Sequence, residues 1–132
     1  VDILFVAAGN SGNGVFTAVK EASDVFVIGC DVDQFDDGKS GDKNIVLTSG
    51  LKVMDMNVEK QLENIAADKF KGLNELLKAD TDSTGYVKEE GRQQLSEKTL
   101  EELEKAYTAV KDGTIVPPSN FSEEKPEAFK GL

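Results

Sequence analysis

Residues 25–34, VFVIGCDVDQ, decide the fold: an apolar run ends in Gly29 and Cys30 and gives way to two aspartates one residue apart. A strand with one face in water alternates apolar and polar residues, whereas an unbroken apolar run marks a strand covered on both faces, as in a parallel sheet. Carboxylates are seldom buried unpaired, so a pair at the mouth of such a strand is either a solvated loop or an acceptor for a ligand's donors.

Working outward, Ile3–Ala8 is a second run of the same kind, and a Gly/Asn/Ser loop separates it from Val15, Val19 and Ala22 at helical spacing. A helix ending near Ser23 and Asp24 makes 1–29 a β-α-β unit with a right-handed parallel crossover. Residues 35–44, FDDGKSGDKN, have loop composition, and NIVLTS at 44–49 predicts a third strand. Asp55 is placed to cap a helix whose Val58, Leu62, Ile65 and Ala66 form one apolar stripe. Gly72, Gly85 and Gly91 interrupt residues 71–95, which predict a short hairpin or irregular segment around Tyr86 and Val87. Thr99 with Glu102 forms a capping box; Leu100, Leu103, Tyr107 and Val110 share a stripe, and Gly113 closes the helix. The organisation expected is an α/β lobe over 1–118 and an exposed tail over 119–132. The abrupt opening on the strand VDILFVAA predicts a fragment or a processed form.

At 132 residues, 39% apolar and 30% charged, the chain is one soluble globular domain's worth. Its formal charge of −10 sets nucleic acid polymers aside, because binding to them is driven by basic residues that replace counterions. With no histidine, imidazole bases and histidine-containing triads or metal sites are absent. Cys30, the single cysteine, forms no internal disulfide and reads as a small buried strand residue. VIGC at 27–30 loosely matches a lipobox, yet only about five apolar residues precede it, where a signal sequence needs ~7–15.

Three loops are expected at the carboxyl edge of the sheet, where open parallel sheets bind ligands: AAGNSGNG (7–14), CDVDQ (30–34) and TSGLK (48–52). Gly9, Gly12 and Gly14 read G-x-x-G-x-G, the reverse of the dinucleotide fingerprint, and Asp31 follows Gly9 by 22 residues, where a Rossmann domain keeps its ribose-binding acid. An ionised carboxylate is acceptor-only with two oxygens, suited to both hydroxyls of a vicinal diol, and Lys52 adds a donor opposite it. The plainer alternatives are that Asp31 caps the following turn, that Lys52 is a solvated surface lysine, and that Asp33 is a solvated loop carboxylate. A rival motif, DTDSTGYVKEEG at 80–91, places Asp80, Asp82, Thr84 and Gly85 at EF-hand positions 1, 3, 5 and 6, with Val87 at the eighth; position 12 is Gly91 instead of a bidentate Glu.

ILFVAAGNSGNGVFTAVKEA, VFVIGCDVDQ and IVLTSGLKVMDMNV, in that order, resemble the second half of the basic membrane protein family, the PnrA-like purine nucleoside receptors of ABC importers. KFKG at 69–72 and LSEKTLEELEKAYTAVKDGTIVPP at 95–118 continue the likeness, which covers roughly residues 1–118. The resemblance implies a three-layer, parallel-sheet α/β lobe of the type I periplasmic-binding-protein fold. It implies a non-catalytic binding protein without a cofactor, lipid-anchored at the cell surface or in the periplasm in its full-length form. Its partners would be a purine nucleoside, an ABC permease and the N-terminal lobe that supplies most of the base-stacking aromatics. By position, Asp31 and Lys52 would hold the ribose, with the Gly9 backbone near the sugar. The residues alone leave two alternatives open: a Rossmann-type oxidoreductase domain and a calcium-binding interaction module.

Overall fold

A computed structural model describes residues 1–117; the tail expected at 119–132 lies outside the described residues. Six strands and three α-helices follow the order β1 (Ile3–Phe5), α1 (Gly12–Glu21), β2 (Phe26–Asp31), β3 (Lys39–Ser40), β4 (Lys43–Asn44), β5 (Val46–Lys52), α2 (Met54–Ala66), β6 (Thr84–Tyr86) and α3 (Glu97–Lys111). The main sheet has the order β1-β2-β5-β6, and β3 with β4 forms a separate two-residue ribbon inside the loop after β2. β1, β2 and β5 are parallel, as the apolar runs require, while β6 joins antiparallel through Gly50, Leu51 and Lys52.

The core sits between the sheet and α1. Val6, Phe16, Val19, Val27, Ile45 and Val46 form one buried cluster, and Val27 and Val46 have no exposed surface at all. Phe16 and Val19 anchor the helix, and Gly12 lets it approach: a Cβ at Gly12 would lie 2.9 Å from the Val6 Cγ1.

Several sequence expectations are corrected. The third strand was expected at 44–49 but runs over Val46–Lys52, so Lys52 ends the strand instead of following it by three residues. The cause is pairing from both sides: β2 holds Gly50 and Leu51 while β6 holds residues 50–52, which extends the strand through a glycine that intrinsic propensity disfavours. Asn44 instead plugs the turn before it, donating from Nδ2 to the Phe35 carbonyl at 2.8 Å and accepting the Val46 amide at 2.9 Å. In α2, Val53 takes the cap position without a side-chain cap, and Asp55 lies in the first turn. The stripe of α2 has no covering element among the described residues: Val58, Leu62 and Ile65 are 60%, 61% and 58% exposed.

The third helix is capped by Ser96, whose Oγ accepts the Thr99 amide at 3.2 Å; Thr99 is therefore the third helical residue and not the cap. Gly113, at φ +80°, turns the chain out of the helix as expected, and Ile115 N–H returns to the Ala109 carbonyl at 2.8 Å. The region 71–95 is irregular apart from a 3₁₀ turn at Ala79–Thr81 and the strand β6, which pairs with β5 and not within a local hairpin.

Candidate functional site

The carboxyl ends of β1, β2 and β5 lie side by side, and Asp31 is the last residue of β2, paired in register with Leu51. Its φ is +70°, and the Val32 amide donates to the Cys30 carbonyl at 2.9 Å across it, which makes Asp31 the centre of a γ-turn in the left-handed region. That turn is a rare, strained conformation for a residue with a Cβ, and it cuts the strand off at the point where the carboxylate emerges.

Asp31 does not cap the turn that follows. Asp33 does so, accepting the Phe35 amide on Oδ1 at 2.9 Å, and the Asp31 carboxylate receives only a long Cys30 thiol contact at 3.7 Å. Among the described residues neither Asp31 nor Lys52 has an ion-pair partner, so both charges face solvent-filled space. Burial pushes the Cys30 thiol pKa up, the adjacent Asp31 carboxylate adds to that rise, and Lys52 acts in the opposite sense, which sets both charges within electrostatic reach of one sulfur.

Two concavities meet at Asp31. A cleft of about 210 Å³ is lined by Gly9, Asn10, Asn13 and Gln34 together with Asp31. An open groove of about 670 Å³ runs from Asp31 past Phe5, Lys52, Met54 and Val58 to Leu77. Gly9 and Lys52 thus lie in different concavities, and Asp31 belongs to both. Gly9 adopts φ +53°, which only glycine takes without strain, and a Cβ there would meet nothing within 4 Å. Phe5 is 62% exposed, its ring edge 3.6 Å from where a Gly50 Cβ would stand.

The loop 31–38 is pinned by residues that sequence reasoning passed over. Gln34 donates its amide N–H to the Oγ of the fully buried Ser49 at 3.1 Å and accepts the Cys30 amide on Oε1 at 3.0 Å, replacing the sheet bond that β2 loses where it ends. Asp33 is half-buried and paired, not a solvated carboxylate: Arg92 Nε donates to it at 2.7 Å. The legible signal was that Arg92 is the only arginine in the chain.

The EF-hand-like stretch is organised differently. Asp80 pairs with Lys78 at 3.3 Å, and Asp82, at φ +54°, pairs with Lys111. Among the described residues no group of three or more acidic or thiol side chains is arranged to hold a metal ion. Beside it, burial and the Glu104 carboxylate push the Tyr86 hydroxyl up to about 12, and that hydroxyl donates to Glu104 at 2.9 Å.

A mixed sheet of three parallel strands and one antiparallel strand, flanked by helices, has the architecture of a periplasmic-binding-type lobe, and solved structures agree in fold. The chain superposes with a TM-score of 0.73 on a transcriptional activator of the comK gene from Bacillus halodurans, at 19% identity, over 89% of this chain and 39% of that one. It superposes with a TM-score of 0.69 on a solute-binding protein of an ABC transporter system from Aeropyrum pernix K1, at 19% identity, over 93% of this chain and 42% of that one. The chain belongs to the Bmp family, the PnrA-like ABC transporter substrate-binding proteins, whose model matches residues 1–120. It is 35% identical over 130 residues to the CD4+ T-cell-stimulating antigen of Listeria monocytogenes and 34% identical to that of Listeria innocua. Each match covers 89% of this chain, which spans 36% of the length of those relatives.

Proposed function

We propose that this chain is a ligand-binding lobe of a non-catalytic, extracytoplasmic receptor that captures a purine nucleoside through its ribose and delivers it to an ABC permease. The observation that carries this is the Asp31 carboxylate, without an ion-pair partner among the described residues and standing where a polar cleft meets an apolar groove. A nucleoside has the matching two-part chemistry. Its diol offers two donors to one carboxylate, its flat base suits the apolar wall beside Phe5, and Lys52 donates to a hydroxyl oxygen as the Gly9 backbone approaches the sugar.

Both concavities are open, and ligand sites draw most of their affinity from enclosure. Besides the uncovered stripe of α2, Phe70, Leu73 and Leu76 in the segment that follows it are exposed, and exposed apolar side chains in such number suit an interaction surface. These features support a second lobe that closes on the ligand; lipid anchoring of the full-length protein is proposed on the family resemblance alone.

The test is the melting temperature of the chain against guanosine, inosine, adenosine, ribose, NAD and calcium, since a ligand that binds only the folded state raises it. A rise with the nucleosides, weaker with ribose, is expected, and Lys52→Met should weaken the nucleoside affinity about tenfold, the worth of one charged hydrogen bond. A rise with NAD alone would overturn the proposal in favour of a dinucleotide-binding enzyme, and one with calcium alone in favour of a metal-binding module.

A further inference from the structure

We propose that Arg92 is a positioning residue for the ligand acid, clamping the loop that begins at Asp31 from a segment 61 residues further along the chain. The inference rests on the role given above to Asp31, but its geometry stands by itself. The guanidinium donates from Nε to Asp33 Oδ2 at 2.7 Å and from a terminal nitrogen to Asp36 Oδ2 at 2.8 Å, and it lies 5.3 Å from the centre of the Phe35 ring. One planar fork therefore spans both ends of the stretch 33–36 and covers the aromatic residue between them, which a lysine's point charge cannot do. Asp36 is held further by Lys39 at 2.7 Å, and hydrogen bonds from Lys39 and Arg92 keep its carboxyl below the usual carboxylate range.

The clamp is anchored at its other end too. The Arg92 amide donates to the Glu89 carbonyl at 3.1 Å, after a turn at Gly91 with φ +78°. Two residues on, Gln94 bonds along β5: its amide reaches the Leu47 carbonyl at 2.7 Å and its side chain the Asn44 and Val46 carbonyls at 3.0 and 2.6 Å. Arg92 is thus mounted on the edge of the strand that β2 pairs with, and it ties the loop after β2 to that frame. The need for such a tie follows from the backbone: a γ-turn at a non-glycine residue persists only where its surroundings over-determine it. Gln34 restrains that turn from the core side, through Cys30 and Ser49, and Arg92 restrains it from the solvent side.

The test uses amide hydrogen exchange by NMR on the ligand-free chain, with Arg92→Ala, Arg92→Lys and Asp33→Asn variants. In Arg92→Ala the Cys30 and Gln34 amides are expected to lose protection about tenfold while the Val27 amide, bonded to Ile45 in the same sheet, is unchanged; Arg92→Lys should recover only part of the loss. Equal protection of Cys30 and Gln34 in wild type and Arg92→Ala overturns the inference, as does a uniform loss that includes Val27, which would mark Arg92 as a general stabiliser. A second measurement, guanosine affinity in a double-mutant cycle, should give about a fivefold loss for Arg92→Ala in the wild-type background and none in Asp31→Asn. A wild-type chain that binds no nucleoside would confine the receptor proposal to the two-lobed protein, and the exchange experiment would decide the clamp alone.

Discussion

Replacing Asp31 by glycine should raise the melting temperature of this protein while abolishing its nucleoside binding. The two effects separate because Asp31 occupies φ +70° at the centre of a γ-turn, a conformation that costs a residue with a Cβ of order 1–3 kcal/mol and a glycine nothing. Part of the relief is lost to the greater freedom of an unfolded glycine, which leaves a net gain of about 1 kcal/mol, or a rise of roughly 3–5 °C for a domain of this size. Among the described residues no folded-state interaction of consequence goes with the side chain, since the only bond to it there is the 3.7 Å thiol contact.

Binding should fall by at least about a hundredfold, because two charge-assisted hydrogen bonds to the diol disappear together. Asp31→Asn is the control: asparagine tolerates the left-handed region, so stability should hold while affinity drops. A lowered melting temperature for Asp31→Gly would refute stored strain at this position, and undiminished nucleoside affinity in Asp31→Ala would refute the ligand role. Strain kept at a site whose removal stabilises the fold is the signature of a residue retained for function.

The second large effect is expected at Gly29, two residues earlier on β2. A Cβ there would stand 2.5 Å from the Ser49 Oγ and 3.0 Å from both the Cβ and Oε1 of Gln34. Neither neighbour can yield cheaply. Ser49 is fully buried, and Gln34 is bonded to it and to the Cys30 amide. Gly29→Ala should therefore cost about 1–3 kcal/mol by overpacking, a fall in melting temperature of roughly 3–15 °C. It should also weaken nucleoside binding by freeing the loop that carries Asp31. Adding Ser49→Ala removes the nearest clash but orphans the Gln34 amide, so the double variant should be less destabilised than the sum of the singles and still below wild type. Strict additivity would mean that the two residues do not meet as described.

The parallel pairing of β1 and β2 was legible in the apolar runs at 3–8 and 25–29, because a strand buried on both faces needs apolar residues at both phases of the pleat. Burial on both faces does not hold at β1, which spans only Ile3–Phe5 and leaves Ile3 and Phe5 exposed among the described residues. The same logic found α3 but misplaced its cap by three residues, since Ser96 and Thr99 are equally good capping side chains and only the backbone direction, extended at Ser96, separates them. It misjudged α2 differently. An apolar stripe says that a helix has a partner and does not say that the partner lies in this stretch of chain.

By itself, then, the sequence determined what depends on local order: roughly where β1, β2, β5 and the three α-helices fall, which glycines permit turns, and that Asp31 and Lys52 stand at or near the ends of neighbouring strands. Tertiary structure alone decided which aspartate is free and which is used. Asp31 and Asp33 are separated by a single residue, Val32, and the sequence around them does not distinguish their carboxylates. The difference arises because the single arginine, 59 residues beyond Asp33, is delivered to Asp33 and Asp36 by the path of the chain around β5, while Asp31, turned out of the strand by its γ-turn, meets no ion-pair partner among the described residues. Long-range ion pairs and close backbone approaches such as Gly29 against Ser49 are products of how distant segments pack, and hydrophobic periodicity carries no record of them.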